Sequence, residues 1–309
     1  MPFKSSARGS YGAQAHQKGI PPGWTSLNIT TSSTGRYGPT STGQVTATAV
    51  GATATYSLSA GKILLNVPAS GSYNFTMAGA RGGHTDSNSQ LGGQSPIGSV
   101  NGVSLSSGQV LEIVIGQVGQ SGTSATSTGG GGGATYVRVQ ASGTPIGVSP
   151  GGGGGSQNQT GMSTTSWTPG LSGRGENSTS TSGGSGSYNQ AVNGTHEGSG
   201  GGGWFSNAVW LYTGPSSDGL GIALAGYASG GGGNNPGGDG GFGGGGRGGY
   251  SNGSGGGGGG YRGGWGGVYA DPGTDSGSRG QSGSGGWGFG LTYSGSFNNG
   301  AGYMIITKN

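Results

Sequence analysis

The sequence predicts an all-β fold in which an antiparallel β-sandwich carries an inserted bundle of extended glycine helices. Several segments alternate apolar and polar residues, as in Tyr73–Met77, and no segment shows sustained helical periodicity. A run of consecutive glycines, Gly129–Gly133, leads directly into the strand-like sequence Ala134–Val139. Because glycine loses the most conformational freedom on folding, a glycine block fused to a good strand indicates ordered backbone built onto a sheet.

Glycine accounts for 86 of the 309 residues and is concentrated in blocks. The other blocks are Gly151–Gly155, Gly200–Gly203, Gly230–Gly233, Gly243–Gly246 and Gly255–Gly260. Ordered glycine fits the polyproline-II-like helix, which has about three residues per turn and no internal hydrogen bonds. Neighbouring helices must then satisfy its N–H and C=O groups. We therefore expect a bundle of polyglycine II helices held by many lateral backbone bonds, each contributing about 1 kcal/mol.

The composition excludes several classes of protein. Only 28% of residues are hydrophobic, but only 6% are charged and the net charge is +4, unlike a solvated disordered coil. There is no Gly-X-Y repeat, which excludes collagen, and no cysteine, which excludes disulfides and thiolate metal sites. The N-terminus lacks a signal peptide and no apolar run approaches the ~20 residues of a membrane helix. We expect a soluble protein made in a cytoplasm.

Residues 1–23 are predicted to form a short basic arm. The arm carries Lys4, Arg8 and Lys18, contains no acidic residue, and ends in a Pro-Pro-Gly sequence. One interpretation is a disordered terminus. The functional interpretation is an attachment peptide, with these three basic residues, that becomes ordered only on a larger assembly.

Residues 24–149 together with 295–309 are predicted to form the β-sandwich. Runs of β-branched and aromatic residues are separated there by Gly, Ser, Pro and Asn clusters, which are typical of turns. The last strand lies far from the others in sequence, so we expect it to return to the same sheet. The predicted strands are 56–58, Lys62–Val67, Tyr73–Ala80, Val110–Val118, Thr135–Gln140 and 301–307.

Residues 150–294 are predicted to form the glycine bundle with exposed loops. Glycine blocks alternate there with polar or aromatic segments, and the loops that join rods must lie at the ends of a bundle. Loops on a rigid scaffold are where recognition usually resides. The candidate recognition loops are Arg174–Glu197, Tyr212–Asp218 and Asp271–Ser284.

Aromatic residues are concentrated in the same half of the chain. Trp and Tyr supply contact area and a polar group at low entropic cost, so some could bind a saccharide or a protein from end loops. The alternative is that they cover the flanks of the bundle and pack it onto the sandwich. The candidate receptor-binding residues are Tyr188, His196, Trp204, Trp210, Tyr212, Tyr269 and Trp287.

Other chemistry has little support in the sequence. Arg-Gly-Gly triplets at Arg81, Arg247 and Arg262 are typical of RNA binding when clustered with aromatics, but here they are scattered, which favours structural arginines at rod ends. The neighbours His84 and Asp86 are too few ligands to identify a metal site. No nucleophile elbow or phosphate loop is present. We therefore assign no catalytic residue, metal or cofactor and expect no enzymatic activity.

Five segments carry a resemblance to a known architecture: Leu111–Gly119, Gly129–Val137, Gly241–Gly246, Gly255–Gly264 and Gly302–Thr307. In order and spacing, over roughly residues 60–309, they resemble the glycine-rich extracellular domain of the anaplastic lymphoma and leukocyte receptor tyrosine kinases. The resemblance implies a tumour-necrosis-factor-like (TNF-like) antiparallel β-sandwich with an inserted bundle of polyglycine II helices. Because cysteines, signal peptide and membrane segment are missing, it implies the architecture and not receptor function.

The opening residues 1–12 resemble the N-terminal arm of small fibre and appendage proteins of tailed bacteriophages, cyanophages in particular. A similar glycine-helix design occurs in adhesins at the tips of T-even-type tail fibres. Together these resemblances imply a virion protein of a tail fibre, spike or appendage, whose arm binds other virion proteins. Its loops would bind a host-surface saccharide or outer-membrane protein, and a homotrimer is expected by analogy. The alternatives are a purely structural capsid or tail decoration protein and an RNA-binding Gly/Arg-rich protein.

Overall fold

The computed structural model consists of β-strands and extended glycine segments. The residues that it describes are 23–85, 90–123, 127–143, 145–156, 188–189, 198–204, 209–210, 224, 228–232, 237–249, 253–267, 285–286 and 288–309. Within them, the helical residues are a 3₁₀ turn at Thr42–Gln44.

The strands of the described residues account for all other regular structure there. In chain order they are β1 (Ser26–Thr31), β2 (Val45–Val50), β3 (Tyr56–Ser59), β4 (Lys62–Asn66), β5 (Gly71–Ala78), β6 (Ser95–Leu105), β7 (Val110–Val114), β8 (Thr135–Val139), β9 (Gly147–Ser149), β10 (Tyr188–Asn189), β11 (Val209–Trp210), β12 (Thr292–Asn298) and β13 (Tyr303–Lys308).

Two antiparallel sheets form a β-sandwich-like body. One has the order β12-β6-β5-β13-β1-β2 and the other has the order β3-β4-β7-β8-β9. In the first sheet Ile306 lies between Leu27 and Phe75, and in the second Ile113 lies between Ile63 and Val137. All six side chains are buried in one continuous apolar core. The alternation of side chains along each strand places these residues on the inner faces.

Among the described residues the expectation of an all-β fold is confirmed, and so is the return of the C-terminal strand. β13 pairs with both β1 and β5 in the middle of the first sheet. Predicted and observed strands agree at β3, β4, β5, β7, β8 and β13. The sequence did not single out β6, because Pro96, Gly98 and Gly102 read as turn residues within its span. In the structure Gly98 lies against Leu291 and Tyr293 of the adjoining edge strand region, where a side chain would collide.

The glycine segments pack beside one another and form what we call the glycine lattice. It comprises residues 80–85, 90–94, 116–122, 127–134, 151–156, 198–203, 228–232, 237–249 and 253–267. The segment 127–134, here called the central segment, exchanges backbone hydrogen bonds with six neighbouring stretches of chain, five of them remote in sequence. This arrangement satisfies the backbone without a sheet ladder.

The hydrogen bonds of the central segment repeat every three residues. Gly131 donates to the carbonyl of Gly246 at 2.8 Å, and the residues three positions before and after Gly131 donate to the same neighbouring segment. The other N–H groups go to two further neighbours in the same rhythm. The donor–acceptor pairs are Thr128–Gly249, Gly131–Gly246, Ala134–Gly243, then Gly129–Gly155, Gly132–Gly152, then Gly130–Gln120, Gly133–Gln117.

The carbonyl groups of the central segment follow the same rhythm toward three other neighbours. The carbonyl of Gly131 accepts from Gly241 at 2.9 Å, and the one three residues earlier accepts from Gly238. The remaining acceptor–donor pairs are Gly130–Gly83, Gly133–Ala80, Gly129–Gly256 and Gly132–Gly259. The central segment is thus surrounded on all sides by backbone.

The lattice grows directly out of the sandwich. β5, β7 and β9 run into lattice segments at their C-terminal ends, and β6 and β8 continue lattice segments that precede them. The lattice therefore uses residues 80–85, 90–94, 116–122 and 127–134 as well as the later glycine blocks. We call the free end of the lattice, at the level of Thr128, the outer pole. The opposite end of the sandwich, where Ser26 pairs with Thr307, is the base pole.

Candidate functional site

Thr128 fastens three segments at the outer pole. Its hydroxyl lies 3.0 Å from the carbonyl oxygen of Gly249 and 2.8 Å from that of Ser254, and its own carbonyl accepts from Gly238. The residue is fully buried. The hydroxyl supplies a hydrogen-bond donor at the level where the three-residue backbone pattern ends, and it holds the ends of these segments together.

The chain leaves and re-enters the lattice repeatedly at this pole. The N–H of Gly122 donates to the carbonyl of His84, and the N–H of Gly249 donates to the carbonyl of Ser254. The next carbonyl in the chain, that of Gly255, accepts from the N–H of Gly267. These bonds hold the ends of different segments at one level. The stretches that connect ends on this side are 86–89, 124–126, 157–197, 233–236, 250–252 and 268–284, and apart from 188–189 they lie outside the described residues.

Two of the three candidate recognition loops are connected to this pole. The connection 157–197 includes Arg174–Glu197, and the connection 268–284 includes Asp271–Ser284. The third, Tyr212–Asp218, lies between Trp204 and Ala228, which are on the sandwich side of the lattice. The candidate residues His196, Tyr212, Tyr269 and Trp287 and the basic residues Lys4, Arg8 and Lys18 lie outside the described residues.

Two other candidate residues are brought together by backbone pairing. β10 and β11 are parallel, with Tyr188 opposite Val209 and Asn189 opposite Trp210. The stretch that holds Arg174–Glu197 is therefore joined to the stretch that follows Trp204. This places the backbones of Tyr188 and Trp210 on adjacent rungs of one small ribbon.

Trp204 lies in the interior. Its ring is fully buried and packs edge-on against Tyr136, with centroids 4.9 Å apart and planes at 84°. The indole N–H donates to the carbonyl of Gly143 at 3.0 Å. In this structure Trp204 therefore has the packing role that the sequence left open as the alternative to receptor contact.

A buried charged cluster lies beneath Trp204 on the outer face of the second sheet. Leu111 and Ile113 of β7 point into the sandwich core, so Glu112 points the other way. Its carboxylate receives Lys62 at 3.2 Å, Arg138 at 2.9 Å and the Tyr136 hydroxyl at 2.7 Å. The sequence offered one signal for this cluster, a lone acidic residue in an apolar strand.

The electrostatics of the cluster keep Glu112 ionised. Burial raises the pKa of Glu112, but hydrogen bonds from Arg138 and Tyr136 and the charge of Lys62 outweigh burial, so the pKa is lowered. For Lys62 the balance is the reverse: burial lowers its pKa and attraction to Glu112 does not compensate. Arg138 is thus the stronger partner of the carboxylate.

The Tyr136 hydroxyl is held in its donor form. Burial raises the pKa of Tyr136 well above its ordinary value, and the Glu112 charge adds to this shift. Its oxygen also lies 3.1 Å from the carbonyl of Leu224, and the Arg138 guanidinium lies 5.6 Å from the Trp204 ring centroid. The cluster therefore fastens the inserted segments onto the second sheet, and its carboxylate oxygens are fully engaged.

The remaining sequence motifs have structural partners. Arg247 is buried: its backbone N–H donates to the Ser199 hydroxyl, and its carbonyl accepts from the Ser199 N–H. It is therefore not part of the exposed basic surface that RNA contact requires. Nδ1 of His84 accepts from the Gly92 N–H at 3.0 Å, and burial lowers the pKa of His84. In the described part of the chain, no group of three or more His, Cys, Asp or Glu could hold a metal ion.

No protein family and no curated protein matches this chain. Among the described residues, none belongs to a helix with the length and apolar character needed to cross a membrane.

Proposed function

We propose that the protein is an attachment protein of a bacteriophage virion, which displays receptor-binding loops on a glycine scaffold. The observation that supports this proposal is that the basic arm and two candidate recognition loops are connected to opposite ends of the molecule. The basic arm leads from one end of the molecule, and the connections that include two candidate recognition loops lead from the other. This is the arrangement needed to bridge a particle and a cell.

The arm joins the molecule at the base pole. Gly23, the first described residue, lies against Pro68, in the turn that precedes β5. The following strand β1 starts there, since Ser26 pairs with Thr307 near the C-terminus. The part of the chain that carries Lys4, Arg8 and Lys18 therefore joins the described residues at the pole opposite the glycine lattice.

The distance between the poles is set by one continuous run of chain. Val110 begins β7 at the base pole, and Gly122 ends the adjoining lattice segment at the outer pole. A strand rises ~3.3 Å per residue and a polyproline-II-like segment ~3.1 Å, which gives about 40 Å. The loops would thus be held well away from the surface to which the arm binds.

In this proposal the glycine lattice is a polyglycine II bundle, and the sandwich is of the TNF-like kind. The three-residue rhythm of the hydrogen bonds around Gly131 supports the first part, because a helix with about three residues per turn repeats its contacts at that interval. The expected homotrimer would present several copies of each loop. Weak contacts with a host saccharide or outer-membrane protein would then add up through multivalency.

The test uses phage particles that carry altered copies of the gene. In one variant residues 174–197 and 271–284 are replaced by short Gly/Ser linkers, and in a second residues 2–22 are deleted. We expect the loop variant to be incorporated into particles, as measured by mass spectrometry, but to adsorb poorly to host cells. We expect the arm deletion to be missing from particles.

The same experiment separates the alternative of a purely structural decoration protein. Loop-variant particles that contain the protein and adsorb at the normal rate would contradict receptor binding and favour that alternative. Particles that incorporate the arm deletion normally would contradict the attachment role of residues 1–22.

A further inference from the structure

A surface cavity of about 420 Å³ lies where the sandwich meets the glycine lattice. Leu58 and Ala60 of the β3–β4 hairpin and Phe242 of the lattice supply an apolar lining, and Thr40 and Ser229 add hydroxyl groups. Ligand sites are typically of this size, mostly apolar, with a few polar groups.

The base of the cavity is rigid. The Phe242 ring is held between Gly38 and Gly61, where an added Cβ would lie 2.7 and 2.9 Å from ring atoms. Both glycines have positive φ, which leaves their backbones close to the ring. The cavity is therefore formed before any ligand arrives.

Backbone strain is concentrated at the same place. Ala60 lines the cavity with φ 49°, and Ala228, with φ 54°, precedes the lining residue Ser229. Strained non-glycine residues tend to occur at binding sites. Ala60 and Gly61 form a two-residue hairpin turn between Ser59 and Lys62, a position that favours Asn or Gly. Alanine here keeps the side chain short and the cavity open.

Tyr37 presents an aromatic surface at the cavity. It is 61% exposed, and the Arg36 guanidinium covers part of it, 4.6 Å from the ring centroid, while also donating to its hydroxyl. An exposed ring held in place by a neighbour offers contact area at low entropic cost. Its combination with Thr40 and Ser229 suits a ligand that has both an apolar face and hydroxyl groups.

We propose that this cavity binds a sugar ring, with its C–H face against Tyr37 and its hydroxyl groups toward Thr40 and Ser229. The site is separate from the outer pole and does not rest on the proposed virion function. A failure to bind sugar at this cavity would not decide the adsorption experiment, and a failure of the adsorption experiment would not decide sugar binding.

Saturation-transfer NMR on the full chain tests this site with the methyl glycosides of glucose, galactose, N-acetylglucosamine and glucuronate. We expect transfer to at least one glycoside, with a Kd raised about tenfold by Tyr37→Ala through lost ring contact. Val50→Ala is the matched control, since Val50 is equally exposed at 61% but lies at the base pole.

A second variant separates binding from folding. Ala60→Asn suits the hairpin turn, so stability should be retained while the longer side chain weakens glycoside binding. No transfer to any of the four glycosides would overturn the proposal. So would transfer that is equal in the wild type, Tyr37→Ala and Ala60→Asn proteins.

Discussion

Gly131 lies so close to Gly257 that a Cβ built on Gly131 would be 2.0 Å from the Gly257 carbonyl oxygen. Gly131 also donates to Gly246 and accepts from Gly241. Backbone therefore contacts this residue from three directions. The lattice needs glycine here for space rather than for unusual φ, because only a residue without a side chain lets neighbouring segments approach to hydrogen-bonding distance.

Replacing Gly131 by alanine is expected to destabilise the protein by about 3 kcal/mol or more, since the added methyl forces backbone apart and breaks lateral hydrogen bonds. Gly143→Ala is the matched control, because a Cβ there meets no atom within 4 Å and φ is not positive. Its effect should be within about 0.5 kcal/mol. Urea denaturation measures both, and equal stabilities would contradict the close packing of the lattice.

The Glu112 cluster predicts a loss of stability in acid. The pKa of Glu112 is lowered in the folded protein from an ordinary value of 4.5, so the folded state binds this proton less readily than the unfolded chain. The associated stability is present above the ordinary value and is lost as the pH falls through it toward the folded pKa. Glu112→Gln should reduce stability at neutral pH by about 3 kcal/mol and flatten this acid dependence.

The measurement is the free energy of unfolding of both proteins between about pH 7 and pH 3. Convergence of the two curves as the pH falls is expected, because protonation removes in the wild type what the substitution has already removed. Parallel curves would show that Glu112 is not the group responsible.

Trp204 is expected to be essential for holding the lattice against the second sheet. Trp204→Ala removes a buried ring and should cost about 3–5 kcal/mol. Trp204→Phe keeps an aromatic ring against Tyr136 but loses the bond to the Gly143 carbonyl, at a cost of about 1 kcal/mol. Equal tolerance of both variants in urea denaturation would instead indicate an exposed ring available to a receptor.

The separation of the two poles can be measured directly, because the chain has no cysteine. Spin labels at Ser107→Cys and Thr123→Cys flank the run from β7 to the end of the adjoining lattice segment, and both positions are exposed. Pulsed electron paramagnetic resonance should give a distance of about 40 Å. A distance below about 25 Å would mean that this segment folds back and that the poles are not at opposite ends.

The sequence predicted strands where the local pattern matches the tertiary environment. β5 and β7 carry apolar residues whose alternation or β-branching persists over several positions, and both are central strands. β6 and β12 were harder to predict from the sequence, because glycine and serine occupy positions where side chains meet neighbouring strands or solvent. Their pairing depends on partners far away in the chain, which no local pattern reveals.

The lattice could be expected from its glycine blocks but its full extent could not. Residues 116–122, for example, include Gln117 and Gln120, and their backbones still bond to the central segment. The side-chain amide of Gln117 also donates a hydrogen bond to the Ser33 hydroxyl at 2.5 Å. Segments with occasional side chains can join the lattice wherever those side chains point away from its interior, and that depends on the three-dimensional register.

The Glu112 cluster was not predicted as a site for a related reason. Lys62, Glu112 and Arg138 are widely separated in sequence and meet only because β4, β7 and β8 are adjacent. Trp204 was predicted as one of several surface candidates, and the sequence could not separate it from aromatics in the loops. Its burial follows from Tyr136 and Gly143, whose positions are set by the sheet.

Amide hydrogen exchange of Gly129–Gly133 tests the central claim most directly, because the display of loops at the outer pole depends on an ordered lattice. Each of these N–H groups donates to a different carbonyl of another lattice segment, so we expect protection comparable to that of Tyr136 and Val137 in β8. Exchange of these glycines at the rate of an unstructured chain, with β8 still protected, would contradict the lattice and with it the display of loops at the outer pole.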